Sequence, residues 1–270
     1  MRLTVLGCAW AAPIDGVGAS GYLVEAGGAQ LLVDCGPGVA TELGRHGSPW
    51  RLDGVVVSHV HFDHCYDLLP LAWTRLARLA GAPDPTKLPL WLPPGGTQTL
   101  EWLGAAFVEH ATEKYVRFHQ TAFDTREYAD AGAELRFGEA TIWLFGPTAH
   151  PAPCYAIRIE APDGVIAYSA DGEACGAMRR AAEGADLFVC EATLFDEESR
   201  RPGGHMTVRD AAELAADAGV GALVLTHLPR FDESYTAAVQ ADAARWFDGH
   251  IDIAQPGLTC SVGRAAVGSA

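Results

Sequence analysis

No apolar run in this sequence approaches the roughly 18 residues that a membrane-crossing helix requires, so no membrane partner is expected. The seven cysteines, at positions 8, 35, 65, 154, 175, 190 and 260, are odd in number and never form a CxxC pair. That argues against a disulfide framework or a zinc ribbon and suits a reducing cytoplasm. Basic residues are scarce: 19 Lys and Arg stand against 34 Asp and Glu, the net charge is −15, and no Lys/Arg cluster interrupts the excess. Such a surface repels a phosphate backbone unless a local patch or a metal reverses the field, so long nucleic acid is not an expected partner. Pro/Ser-rich linkers, charge runs and internal repeats are missing too, and residues 1–270 are read as one domain. Val5-Leu6-Gly7-Cys8 has the look of a lipoprotein cleavage box and Ala9-Trp10-Ala11 of a small-residue cleavage site. The apolar stretch before them is too short for a signal, and a first strand entering a glycine turn is expected instead.

What remains is a chain of 270 residues, 49% hydrophobic and 20% charged, able to bury a large core. Short apolar strands are expected at Leu3–Leu6, Gly21–Val24, Gln30–Asp34 and Gly54–Ser58. The fourth is apolar throughout, as in a sheet covered on both faces. Helical spacing follows over Tyr66–Ala80 and Thr97–His110, with a strand at Leu88–Leu92 between them. Ala111–Ala131 is less regular, and the region around 81–131 is a candidate cap over a site. Further strands are expected at Thr141–Phe145, Tyr155–Glu160, Val165–Ser169, Leu187–Glu191 and Ala222–Thr226, with Pro162-Asp163-Gly164 turning one hairpin. Thr207 and Asp210 open a helix that Gly219 closes, and Ser234–Phe247 is the last helix.

The densest chemistry is the run His59-Val60-His61-Phe62-Asp63-His64, directly behind the apolar strand. In extended chain, residues two apart share a face, so His59 and His61 can bind one ion while Asp63 and His64, in the following turn, face a second. Composition alone would yield this pattern about once in a thousand such chains. Three imidazoles and a carboxylate behind a buried strand would be costly to leave unpaired.

The HxHxDH run at a strand end resembles the signature of the metallo-β-lactamase superfamily, and further pieces occur in that family's order. His150, Asp171 and His227 match its third histidine of the first metal, its bridging aspartate and its last ligand of the second metal. The resemblance implies a four-layer αββα sandwich, two mixed β-sheets flanked by helices. It also implies two divalent ions, with Zn2+ the first candidate and Mn2+ or Fe as alternatives. The first ion falls to His59, His61 and His150, the second to Asp63, His64 and His227, with Asp171 between them. Asp63 is taken as catalytic as well.

Two cations close together lower the pKa of a shared water, so that hydroxide exists near neutral pH to act as nucleophile. Glu191, in Cys190-Glu191-Ala192-Thr193, and His205, in Gly203-Gly204-His205-Met206-Thr207, resemble motifs of the ribonuclease Z branch of phosphodiesterases. There the glutamate orients a histidine that serves the scissile phosphate and leaving group. The long basic arm with which that branch grips transfer RNA has no counterpart here. The expectation is therefore a phosphodiesterase for a small or cyclic nucleotide, with lactone, ester or thioester hydrolysis, or metal binding without turnover, as alternatives. A small-molecule substrate is expected, and the oligomeric state stays open, a homodimer included.

Overall fold

The computed structural model describes residues 1–79, 86–106, 118–196 and 204–263. In chain order the strands are β1 (Arg2–Gly7), β2 (Gly21–Ala26), β3 (Ala29–Val33), β4 (Gly54–Val56), β5 (Leu88–Leu92), β6 (Phe123–Glu127) and β7 (Ala133–Phe137). They continue as β8 (Ala140–Phe145), β9 (Ala156–Ala161), β10 (Gly164–Tyr168), β11 (Leu187–Glu191), β12 (Ala222–Thr226), β13 (His250–Ile253) and β14 (Thr259–Ser261). The helices are α1 (Val39–His46), α2 (Phe62–Cys65), α3 (Leu68–Leu79), α4 (Gly96–Ala105), α5 (Phe118–Ala122), α6 (Gly176–Ala182), α7 (Val208–Ala218) and α8 (Glu233–Ala243).

Alternation of side chains along the strands decides the layering. On β3, Leu31 and Val33 enter the core between the sheets while Leu32 faces α1 and α3 on the outside. On β11, Leu187 and Val189 point inward, and Phe188 and Cys190 meet the layer of α6, α7 and α8. Strands apolar on both faces can only be satisfied with cover on both sides, hence four layers, αββα. The sheets run β14-β1-β2-β3-β4-β5-β6 and β13-β12-β11-β10-β9-β8-β7. Both are mixed: β3 to β6 and β10 to β13 are parallel, while β1 to β3 and β7 to β10 are antiparallel. Parallel runs send their carboxyl ends to one edge of a sandwich, and loops there collect functional groups.

Helix α7 follows its local signals closely. Thr207 accepts from the Asp210 backbone N–H, Asp210 reciprocates, and Gly219 ends the helix at φ 67°. Val208, Ala211, Ala212, Ala215 and Ala218 bury one stripe. Other boundaries differ from expectation. Helix α3 begins at Leu68 rather than Tyr66, α4 at Gly96, and α8 spans Glu233–Ala243 rather than Ser234–Phe247.

Where described, the region around 81–131 contributes two strands and two helices to the first sheet and its cover. The expected strand Leu88–Leu92 is β5, the expected helix is α4, and α5 and β6 fall in the stretch read as less regular. Strand β6 extends the sheet at its edge, pairing Leu88 with Phe123 and Trp91 with Arg126. Its sequence reads as irregular because Asp124, Arg126 and Glu127 stand on an edge strand with solvent beside it. Residues 80–85 and 107–117, with His110 and Tyr115, lie outside the described residues. Strands β7, β13 and β14 were not anticipated; they are short and carry few buried residues, so the apolar signal is weak.

No helix among the described residues is long and apolar enough to cross a membrane. All seven cysteines are free thiols, five of them buried.

One glycine ties the fold to the His59–His64 loop. A Cβ built on Gly36 would lie 1.9 Å from the Asp63 carbonyl oxygen, backbone that cannot swing aside. Gly36→Ala is therefore expected to destabilise the protein by about 1–3 kcal/mol, read from urea unfolding midpoints. A wild-type midpoint would refute that packing.

Candidate metal centre

The site is assembled from the carboxyl ends of β3, β4, β10, β11 and β12 and from the loop after β8. Three residues there adopt left-handed backbone without being glycine: Asp34 at φ 57°, Ala170 at φ 54° and His227 at φ 61°. Such conformations are costly and persist only where surrounding structure over-determines them. Here each one turns the chain sharply at the end of a strand and brings Asp34, Asp171 or His227 to a common centre. After β4, the chain stays extended through His61 (φ −64°, ψ 149°) and enters α2 at Phe62, placing Asp63 and His64 in a helical turn.

His59, His61 and His150 present ligand atoms within 4.8 Å of one another, and so do Asp63, His64, Asp171 and His227. His150 Nε2 is 3.0 Å from His61 Nδ1. Asp171 Oδ2 lies 3.3 Å from His64 Nε2, 3.4 Å from His227 Nε2 and 3.8 Å from His59 Nε2, so it reaches both groups. Asp63 Oδ2 is 3.2 Å from His227 Nε2 and 3.4 Å from His64 Nε2.

Proton positions test whether this set fits a cation. Asp34 is fully buried and accepts from Ser58 N–H (2.7 Å), Ser58 Oγ–H (2.8 Å) and Tyr168 O–H (3.0 Å). It also lies 2.8 Å from His64 Nδ1, which must therefore donate. The Ser58 hydroxyl has given its only proton to Asp34, so it accepts from His59 Nδ1 at 3.1 Å. The Thr193 hydroxyl donates to Glu191 Oε2 (2.7 Å) and in the same way accepts from His227 Nδ1 (2.7 Å). In their neutral form all three rings would then aim Nε2 lone pairs at Asp63 and Asp171. Lone pairs facing buried carboxylates repel unless a positive charge sits between them. Among the described residues, His59 Nε2, His64 Nε2 and Asp171 Oδ1 have no hydrogen-bond partner. Imidazole nitrogen and carboxylate oxygen are donors for zinc, manganese or iron, and the set fits such an ion.

Electrostatics agrees with that geometry. Burial lowers the pKa of His59, His61 and His150, keeping their rings in the neutral, ligating form. Burial opposes charge on His64, but Asp171 and Asp34 outweigh it and raise its pKa well above the usual value. A cation would take that proton's place, since metal and proton compete for one lone pair. Burial likewise disfavours ionised Asp171, and His227 and His64 prevail, holding it well below the carboxylate range. Cys35, Cys65 and Cys190, each adjacent in sequence to a residue of this network, turn the other way into the helix-packed layers. Burial raises their thiol pKa values, so they do not compete as thiolate ligands.

Glu191 and His205 are brought together as well. His205 Nδ1 is 2.9 Å from Glu191 Oε1, which also accepts from Gly172 N–H at 2.8 Å. Burial works against a charged His205, yet the hydrogen bond and charge of Glu191 prevail and raise its pKa to about 9. Its ring stacks on His227 at 5.3 Å and meets His150 at 5.5 Å, so the pair borders both groups of ligand atoms. His205 is held there because Leu194 N–H bonds the Met206 carbonyl and Val208 N–H the Leu194 carbonyl.

Sequence reasoning placed all the metal and dyad residues in this cluster but assigned no role to Asp34, Ser58, Thr193 or Tyr168. Their only sequence signal is adjacency: Ser58 precedes His59, and Thr193 follows Glu191 by two. His119 is outside the cluster, buried against Glu101 at 3.0 Å. Among aromatics between the His59–His64 run and His150, Phe118 and Phe123 are buried, whereas Trp73 and Trp102 are exposed.

The fold and the cluster together define a metallo-hydrolase of the αββα sandwich class. Residues 29–228 match the β-lactamase superfamily domain, and the chain belongs to that family. It is 31% identical to the Probable metallo-hydrolase YhfI of Bacillus subtilis over 96% of this chain and 98% of that one. The crystal structure of YhfI superposes with a TM-score of 0.80 at 28% identity, covering 96% and 99% of the two chains. Uncharacterized protein Rv1339 of Mycobacterium tuberculosis is 34% identical over 98% and 93%. A Ribonuclease Z of Mycolicibacterium paratuberculosis is 30% identical over 94% of this chain and 95% of its own.

Because a cation would bind only the folded site, stripped protein titrated with Zn2+ is expected to unfold at higher temperature. The gain is about 2.7 kcal/mol when free metal reaches 100 times Kd. Asp63→Ala should reduce both that shift and the metal bound per chain; an unchanged thermal midpoint in wild type would count against the cluster as a metal site.

Proposed function

We propose that this chain is a metal-dependent phosphodiesterase for a small or cyclic nucleotide. His59, His61 and His150 would hold one divalent ion, and Asp63, His64 and His227 another, with Asp171 shared. Zinc is the first candidate, since the donors are imidazole and carboxylate and the outer nitrogens of His59, His64, His150 and His227 are hydrogen-bonded, as is usual for metal-ligating histidines. Bound there, such ions would lower the pKa of a shared water and neutralise charge on a phosphoryl centre.

The observation that carries the phosphodiester reading is the His205–Glu191 contact beside both groups. With Nδ1 given to Glu191, His205 keeps Nε2 for the substrate. Glu191 keeps the ring protonated, so it can bind a phosphate oxygen and hand its proton to a departing alkoxide. Ser58, Asp34 and Thr193 keep His59, His64 and His227 in the tautomer that faces inward. The ribonuclease Z relative supports the same chemistry, while the net charge of −15 favours a small substrate over a long polyanion.

His205→Ala is expected to lower kcat on bis(p-nitrophenyl) phosphate and cyclic nucleotides by about 10²–10⁴-fold while leaving metal content unchanged. Lactone, ester or thioester hydrolysis would leave His205 dispensable. Equal rates for variant and wild type on phosphodiesters, with turnover of an ester, would therefore replace the proposal by that alternative. Metal-loaded protein inert to every substrate would point to metal binding without turnover.

A further inference from the structure

We propose that Thr193 is a positioning residue whose single hydroxyl ties the Glu191–His205 pair to His227, so that losing it weakens metal binding at His227 and loosens the proton donor together. The inference rests on the reading of His227 as a metal ligand.

Thr193 is 3% exposed, and its Oγ1 lies 2.7 Å from Glu191 Oε2, 2.7 Å from His227 Nδ1 and 3.4 Å from His205 Nδ1. A carboxylate only accepts, so the one hydroxyl proton goes to Glu191 and the oxygen lone pairs remain for an N–H. The nearer N–H is that of His227, which fixes the tautomer with Nε2 directed at Asp63, 3.2 Å away. The same bond occupies Glu191 Oε2, so His205 and Gly172 share Oε1.

The backbone on either side holds Thr193 in this position. Ala192 N–H bonds the Thr226 carbonyl at 3.0 Å, just before His227, and Leu194 N–H bonds the Met206 carbonyl at 3.0 Å, just after His205. Thr193 is thus pinned between the strand end that bears one histidine and the segment that bears the other. Such outer partners orient a ligand and raise its basicity, and their loss commonly costs 10–100-fold in metal affinity.

The test is a Zn2+ titration of stripped protein under chelator competition, without substrate, on wild type, Thr193→Val, Thr193→Ser, His205→Ala and His227→Ala. Valine keeps the shape and removes the hydroxyl; Thr193→Ala serves in its place if valine prevents folding. One binding step is expected to weaken about 10–100-fold in Thr193→Val, to recover in Thr193→Ser and to be unchanged in His205→Ala. Histidine-labelled ¹H–¹⁵N spectra should show the Nδ1–H signal that His227→Ala removes, and Thr193→Val should shift it. Wild-type affinity and an unshifted signal in Thr193→Val would overturn the proposal, as would failure of serine to restore either. If His227→Ala binds Zn2+ like wild type, it is the ligand assignment that falls.

Discussion

Two carboxylates that stand behind the ligand-bearing rings hold the cluster in order. Asp34, from the first sheet, and Glu191, from the second, are both fully buried and each collects several donors. A buried anion is expensive unless hydrogen bonds surround it, and here those bonds come from the residues that face the centre. His64 answers directly to Asp34, His59 answers through Ser58, and His227 answers to Glu191 through Thr193. Every other feature of the site follows: the inward lone pairs, the repulsion among Asp63, Asp171 and the rings, and the fit to a cation. Tyr168 reaches Asp34 from the opposite sheet, so the same carboxylate also links the two halves of the sandwich.

The layered core makes that order affordable. Left-handed turns at Asp34, Ala170 and His227 oppose local backbone preference, and each follows closely on a strand buried on both faces. Burying one Leu or Val side chain stabilises by about 1.5–3 kcal/mol, enough to offset the roughly 1–3 kcal/mol of a strained residue. Where a strand is instead a polar edge, as in β6 and β7, the chain carries charged pairs such as Arg126–Asp124 and Arg136–Glu134 and no site residue.

His205 differs from His59, His61 and His150. Its Nδ1 meets Glu191 itself, as that of His64 meets Asp34, and its pKa rises to about 9 where theirs fall. Histidines suited to binding a cation and one suited to keeping a proton therefore sit within 5.5 Å ring contact, separated in behaviour by a single carboxylate. That division of labour is what a metal-assisted hydrolysis with a charged leaving group needs.

The sequence alone determined the strands apolar on both faces, hence a covered sheet, and the residues able to ligate an ion, because strand alternation and donor chemistry are local properties. His59, His61, Asp63 and His64 were legible from spacing; His150, Asp171, His227, Glu191 and His205 only through resemblance, since nothing local joins residues up to 168 positions apart from His59 to His227. Asp34, Ser58 and Thr193 had no legible role, and β6 was hidden because the polar residues of an edge strand leave little apolar alternation. Which nitrogen each ring turns inward was decided by tertiary structure, because a tautomer depends on the partner of the opposite nitrogen, and those partners arrive from other strands.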